Sequence, residues 1–391
     1  MSQRALPTAS AAMRIAQGLR IASAREWVWL TALPRRRLAE AVRTRAPQPE
    51  SAVAAMDGWA LRADATPGVF SVVGESAAGR PHPRPLVQAE AVRISTGALV
   101  PRGADAILRR EDGIERLGVV TAPPVEAGHD VRRGGQDYPQ AAVVLSAGHL
   151  VRSHDVAVIA ACGWDGAFCE RRARIALVSI GDELVPPGRV PGEGEVVDSN
   201  RLAIAAAVDA AGAVVAWTRW VPDDRHVLEE VMVEAMQSGP DGVDLVITTG
   251  GASVGDHDHV RPVLRSLGAE MAFEGIAMRP GRPTALGAIG NSRVLILPGT
   301  PSASVIGFHV IGRELLGTTD WTLGVLAGDY RSRRDADEFV RCRRTPVGLA
   351  PLEVQGPASL AGLAGADALA WIPWGRSHVQ SGSSVRTSTM P

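Results

Sequence analysis

Residues 244–258, DLVITTGGASVGDHD, restrict the fold of this chain more than any other stretch. Leu245 to Thr249 are apolar or β-branched without a break, the pattern of a strand buried on both faces of a parallel sheet. Gly250 and Gly251 end that strand, and residues 252–257 turn into a helix expected to begin near Asp258. A strand running through a Gly-Gly turn into a helix gathers backbone N–H groups, and glycine lets the chain come close to an anion. The same spacing also serves as a ligand-free tight turn, since neither a full dinucleotide fingerprint nor a Walker loop is present. The neighbouring strand ends decide between the two.

Those neighbours extend an α/β pattern from 174 to 316. RIALVSI (174–180) reads as a buried strand, and SNRLAIAAAVDAAG (199–212) as a helix capped by Ser199 and stopped at Gly212. AVVAWTRW (213–220), MAFEGIAM (271–278) and RVLILPG (293–299) read as further strands. RHVLEEVMVEAM (225–236), RPVLRSLG (261–268) and SASVIGFHVIGREL (302–315) read as the helices between and after them. Strands alternating with helices imply a parallel sheet whose ligands sit at the carboxyl ends of the strands.

The flanking regions have other textures. Residues 9–45 read as two helices joined by a short extended piece, the second opening at Pro34, and 148–163 as a helix with Ser153 as its N-cap. From 48 to about 141, dense Pro and Gly with short alternating runs (GVFSVV, AVRIST, GADAIL, GIERLGVVTAP) indicate a β-rich module. The residues after 318 or so return to short strands and turns, a small β-domain. A chain of 391 residues is too long for one core, so two to four domains are expected.

Composition excludes several partners. The formal net charge of −1 gives no long-range pull toward nucleic acid or an anionic membrane. No stretch reaches the roughly 18 uncharged apolar residues of a membrane span, and no continuous apolar segment marks a signal peptide. Cys162, Cys169 and Cys342 are odd in number and fit no zinc ligand spacing, which points to reduced thiols in the cytosol. All the positive charge outside histidine is arginine; the chain has no lysine.

Four strand ends of the α/β region carry polar or glycine-rich turns. Asp182 and Glu183 follow the first strand, and Asp223 and Asp224 the second, where they also suit a helix N-cap. Asp256-His257-Asp258-His259 follows the Gly-Gly turn, and Pro298-Gly299-Thr300-Pro301-Ser302 opens a helix whose first N–H groups are available to an anion. Consecutive side chains diverge, so the Asp-His run does not make a transition-metal cage. Carboxylates from several loops beside N–H groups suit Mg²⁺ bridging phosphate oxygens better. Met278-Arg279-Pro280-Gly281-Arg282-Pro283 offers two guanidinium groups, either as a plain hairpin or as an oxyanion fork. In the β-rich module Asp57, Thr96 and Asp137 are polar interruptions at strand ends, readable as turn-formers or as carboxylates and hydroxyls exported to a partner.

MDGWA, ISTGA with PRGADAI, RRGGQD, SIGDEL, VVDSN, TTGGASVGDHDHV, MRPGRP and LPGTP occur in the order seen in molybdopterin molybdenumtransferases, the MoeA-type proteins that include the E domain of gephyrin. Eight moderately specific motifs in order over about 250 residues make the resemblance strong. It implies an α/β multidomain fold: a molybdopterin-binding domain from 1–24 and 174–318, a linking α/β domain from 25–46 and 142–173, a β-rich inserted domain at 47–141, and a C-terminal β-barrel at 319–391. It also implies a cytoplasmic homodimer that consumes adenylyl-molybdopterin and molybdate, requires Mg²⁺, and releases AMP and molybdenum cofactor. Other cofactor-biosynthesis proteins and apo-molybdoenzymes are its implied partners.

By the same resemblance, Gly250, Gly251 and Ser253 hold the pterin or a phosphate. Glu183, Asp223 or Asp224, and Asp258 supply Mg²⁺ or water contacts, with Glu183 and Asp258 also counted as catalytic. Arg279, Arg282 and the loop from Pro298 to Pro301 receive molybdate, a tetrahedral dianion. Asp57, Thr96 and Asp137 reach the cleft of the other protomer as catalytic residues. The chain departs from the family pattern at Ala55 (usually Ser), Trp59 (usually Tyr), Thr300 (usually Asn), and Arg279 and Arg282 (usually Lys). An alternative reading, motivated by Ala55 and Thr300, is a diverged non-catalytic paralogue that binds molybdopterin as carrier or scaffold.

Overall fold

The computed structural model describes residues 5–22, 24–237, 242–251, 259–333 and 335–390. The chain forms two compact units, Met1–Ser23 with Arg171–Pro391, and Ala24–Glu170.

The first unit is built on a six-stranded sheet in the order Val214–Val221, Arg174–Ile180, Leu245–Thr249, Ser292–Leu297, Ala285–Ile289, Glu270–Phe273. The first four strands are parallel and the last two antiparallel. Alternate residues of each central strand enter opposite cores. Ile175, Leu177, Leu245, Ile247, Leu295 and Leu297 pack with the helices Ala9–Gly18 and Ser199–Ala210. Ala176, Val178, Ile180, Val246, Val294 and Ile296 pack with Arg225–Gln237 and Val260–Ser266. Burial on both faces explains why these strands are apolar throughout rather than alternating.

The antiparallel edge corrects the expectation of a purely parallel sheet. Residues 271–278 are not one strand: Glu270–Phe273 stays in this sheet, while Met278–Arg279 pairs with Asp337–Glu338 of the C-terminal sheet. Ala285–Ile289, ALGAI, escapes recognition because small residues carry little strand preference. The C-terminal sheet runs Met278–Arg279, Asp337–Thr345, Ala368–Ile372, Ser384–Thr389, Thr322–Val325, with Gly348–Pro351 on the long strand. Leu326, just after Thr322–Val325, bridges Leu349, so the sheet curls back on itself around Leu326, Val340, Leu349 and Ile372.

In the second unit, a six-stranded sheet runs Ala106–Arg109, Gly58–Leu61, Glu90–Ile94, Gly68–Ser76, Val119–Ala122, Ile114–Arg116. A separate core joins the ribbon Arg25–Trp29 with Gly166–Glu170 and the helix Ser153–Ala161. The expected helix at Pro34 is absent. Arg25–Trp29 is extended, as two β-favouring tryptophans flanking Val28 allow, and Arg35 takes a left-handed turn conformation at φ 68°. Two caps shift by one residue. Arg152 precedes the helix at Ser153, with the Asp155 carboxylate accepting the Arg152 N–H at 2.8 Å. Asp198, not Ser199, caps the helix Ser199–Ala210 by accepting the Arg201 N–H.

Candidate functional site

Three loops at the carboxyl ends of the parallel strands meet through their backbones. Gly250 follows Leu245–Thr249 with φ +85°, and a Cβ there would lie 2.2 Å from the Ile180 carbonyl oxygen. Only glycine meets both conditions. A Cβ on Gly299, in the loop after Ser292–Leu297, would lie 3.5 Å from the Gly250 Cα. The loops following residues 180, 249 and 297 are therefore in direct contact. Ser253 and Asp258 fall outside the described residues, so neither role given to them is tested.

The start of the helix Ser199–Ala210 is fastened to the same place. Ser179 Oγ donates to the Asp198 carboxylate at 2.7 Å, as does Arg201 Nε. One residue beyond Ser199, Asn200 Nδ2 donates to the Gly299 carbonyl at 2.5 Å, while Asn200 Oδ1 is buried without a donor among the described residues. Asn200 belongs to the VVDSN motif, but nothing in its local sequence announced this bridge.

The acidic turns part company in their roles. Asp182 and Asp223 accept each other's backbone N–H at 3.1 and 3.3 Å, tying the first two strand ends together with both side chains exposed. Glu183 is exposed and folds its carboxylate back over Gly181. Asp224 accepts the His226 and Val227 N–H groups at 2.8 and 3.1 Å, and these N–H donors hold its carboxyl below the usual range. It is a helix cap, the other of its two sequence readings. Among the described residues no group of three or more His, Cys, Asp and Glu converges as a metal cage. Glu183 and Asp223 suit an ion held by one or two carboxylates and completed by substrate oxygens, the habit of Mg²⁺.

The arginine fork is half spent. Arg279 is paired with Asp335 at 2.6 Å, and that bond holds the Asp335 carboxyl below its ordinary value. Arg282 is exposed with no side-chain partner among the described residues. Gly281 between them backs onto the helix that starts at Pro301, with the Ala303 carbonyl 3.5 Å from a Cβ placed there. Pro298 is buried, and Pro301 takes the first helical position, where a missing N–H costs nothing. The helix start is less open than its sequence suggests. Ser302 N–H donates to the Pro357 carbonyl at 3.0 Å, and Ser302 Oγ to the Ser359 carbonyl at 2.7 Å. Thr300 occupies the cap position and makes no side-chain cap bond.

Behind that helix start lies Arg341, which sequence reasoning missed. Its side chain is 0 % exposed. Its guanidinium donates to Ser302 Oγ, the Gly356 carbonyl and Gln355 Oε1. No carboxylate pairs with it among the described residues, one terminal nitrogen has no acceptor, and burial pushes its pKa down. A fully buried guanidinium with only neutral acceptors, beside the positive end of a helix, is an uncompensated charge.

In the second unit the structure brings together two of the three predicted residues. Asp57 Oδ1 accepts the Thr96 N–H at 2.7 Å and the Thr96 hydroxyl at 2.8 Å. The backbone donor, then the hydroxyl, holds the exposed Asp57 carboxyl below its usual value. Asp137 instead pairs with Arg132.

A curled β-module, a β-rich unit and a mixed sheet whose loops gather at the ends of its parallel strands, where α/β proteins hold ligands, define a multidomain α/β protein. Residues 6–163 match the MoeA N-terminal region (domain I and II), 176–318 a probable molybdopterin binding domain, and 324–389 the MoeA C-terminal region (domain IV). The chain belongs to the MoeA-type molybdopterin molybdenumtransferase family. It is 32% identical over 266 residues to the molybdopterin molybdenumtransferase of Haemophilus influenzae, a match spanning 67% of this chain and 65% of that protein. With the Bacillus subtilis molybdopterin molybdenumtransferase it shares 29% identity over 92% of this chain and 89% of that one. The crystal structure of a molybdopterin biosynthesis MoeA protein from Pyrococcus horikoshii superposes with a TM-score of 0.86 at 25% identity, covering 98% of this chain and 99% of that one. No helix among the described residues is long and apolar enough to cross a membrane.

Proposed function

We propose that the protein inserts molybdate into adenylyl-molybdopterin, releasing AMP and molybdenum cofactor in a Mg²⁺-dependent reaction. The observation that carries this reading is the uncompensated Arg341, hydrogen-bonded to Ser302 behind the helix start that follows the 298–301 loop. The Gly250–Gly251 turn receives the pterin or its phosphate. Arg282 and the Pro298–Pro301 backbone face the molybdate dianion, and Arg341, buried behind them, adds positive potential. Glu183 and Asp223 hold Mg²⁺, which would offset charge on the phosphoanhydride. Asp57 and Thr96 belong to the site as a preformed carboxylate–hydroxyl pair, supplied by the partner protomer of a homodimer. The four-domain partition (1–24 with 174–318, 25–46 with 142–173, 47–141, 319–391) and a cytoplasmic location complete the proposal.

The test is molybdate-dependent AMP release from adenylyl-molybdopterin by the purified protein with Mg²⁺. Thr300, an uncapped helix start where the family pattern has Asn, favours one second reading: a carrier that binds the nucleotide without turning it over. Binding without AMP release would establish the carrier.

A further inference from the structure

Away from the strand-end loops, the first unit contains a cavity of about 350 Å³ lined by Arg14, Gln17, Glu314, Trp321, Trp371 and Arg386, among others. That volume is in the range of small-molecule sites. Glu314 is only 3 % exposed. Its Oε2 accepts from Gln17 Nε2 at 2.9 Å and Thr319 Oγ1 at 3.3 Å, while its other oxygen has no donor and the carboxylate no cation among the described residues. A buried carboxylate without a counter-cation is costly unless a ligand supplies one. The two arginines are equally unspent. Arg386 lies over Trp371 at 4.7 Å and Trp321 at 5.8 Å, and Arg14 donates to Ser10 Oγ at 2.8 Å. Neither is paired with a carboxylate among the described residues. Trp321 Nε1, in the same wall, is buried without an acceptor. The helical segment just before Glu314, Phe308–Gly312, is a π-turn, a feature that often accompanies functional sites.

We infer that this cavity binds a small zwitterion of the free amino-acid type, its ammonium on Glu314 and its carboxylate on Arg14 and Arg386. One unpaired anion and two unpaired cations facing a single cavity match a ligand that carries both charges.

The experiment is ligand-observed NMR on the full chain with each proteinogenic L-amino acid at millimolar concentration. Propionate and propylamine serve as single-ended controls. At least one amino acid binds, and Arg14→Ala and Glu314→Gln each weaken it by about tenfold or more. Arg14 lies on an exposed helix face, so Arg14→Ala keeps the parent melting temperature. Binding of no amino acid, binding that survives both variants, or propionate binding as well as the amino acids would overturn the inference.

Discussion

The side-chain amide of Asn200 donates to the Gly299 carbonyl at 2.5 Å, joining the helix that follows one strand to the loop that follows another. Asn200→Ala removes this bridge from an exposed loop carbonyl, so it costs about 1 kcal/mol of stability. Because the bridge sets the position of the 298–301 loop, AMP release falls by about a hundredfold. Melting curves and turnover on the same preparation separate the two effects. Equal, small losses in both would reduce Asn200 to a structural contact.

Arg341 separates function from stability in the opposite way. Arg341→Met removes an uncompensated buried charge and retains apolar volume, so the protein stays folded within about 2 kcal/mol of the parent. Its KM for molybdate rises by about tenfold. Arg341→Lys does not restore it, since an ammonium cannot span Ser302, Gly356 and Gln355 together.

The acidic residues of two neighbouring loops divide into a cap and a candidate metal pair. Asp224→Ala loses a cap and about 1 kcal/mol of stability, with the Mg²⁺ dependence of turnover unchanged. Glu183→Gln and Asp223→Asn raise the Mg²⁺ concentration needed for half-maximal turnover and leave the melting temperature nearly constant. Magnesium titrations of the three variants check this; a shifted Mg²⁺ requirement in Asp224→Ala would return that residue to the metal site.

These residues also mark how far the sequence could be read. Leu245–Thr249 and Arg174–Ile180 were legible because burial on both faces forces an unbroken apolar run. Ala285–Ile289 was not, because its small residues lack that signature, and the helix read at Pro34 was suggested by an arginine-rich turn that imitates a helix start. The turn at Gly250 was legible from its doublet, and in the second unit the Asp57–Thr96 pair lies at motif positions already marked as polar interruptions. Arg341 was not: an arginine on a strand among 41 basic residues looks like any solvated one until its burial is seen.

His309 gives the fold a pH signature. It is buried beside Ser388, Arg313 and Trp321, and burial, then the Arg313 charge, lowers its pKa from 6.5 to about 4. Between those values the unfolded chain binds more protons, so this contribution is complete above pH 6.5 and is lost as pH falls toward 4. The loss is on the order of 3 kcal/mol. Urea midpoints measured across that window fall less steeply for His309→Gln than for the parent; identical slopes would refute the assignment.

The central claim is that molybdate is held at the strand-end cleft between the 298–301 loop, Arg282 and Arg341. A crystal soaked with molybdate and AMP, measured at the molybdenum absorption edge, tests it most directly. The expected result is an anomalous peak beside that loop, within hydrogen-bond reach of Arg282 or a loop N–H. A molybdenum peak bound elsewhere, with this loop empty, would contradict it.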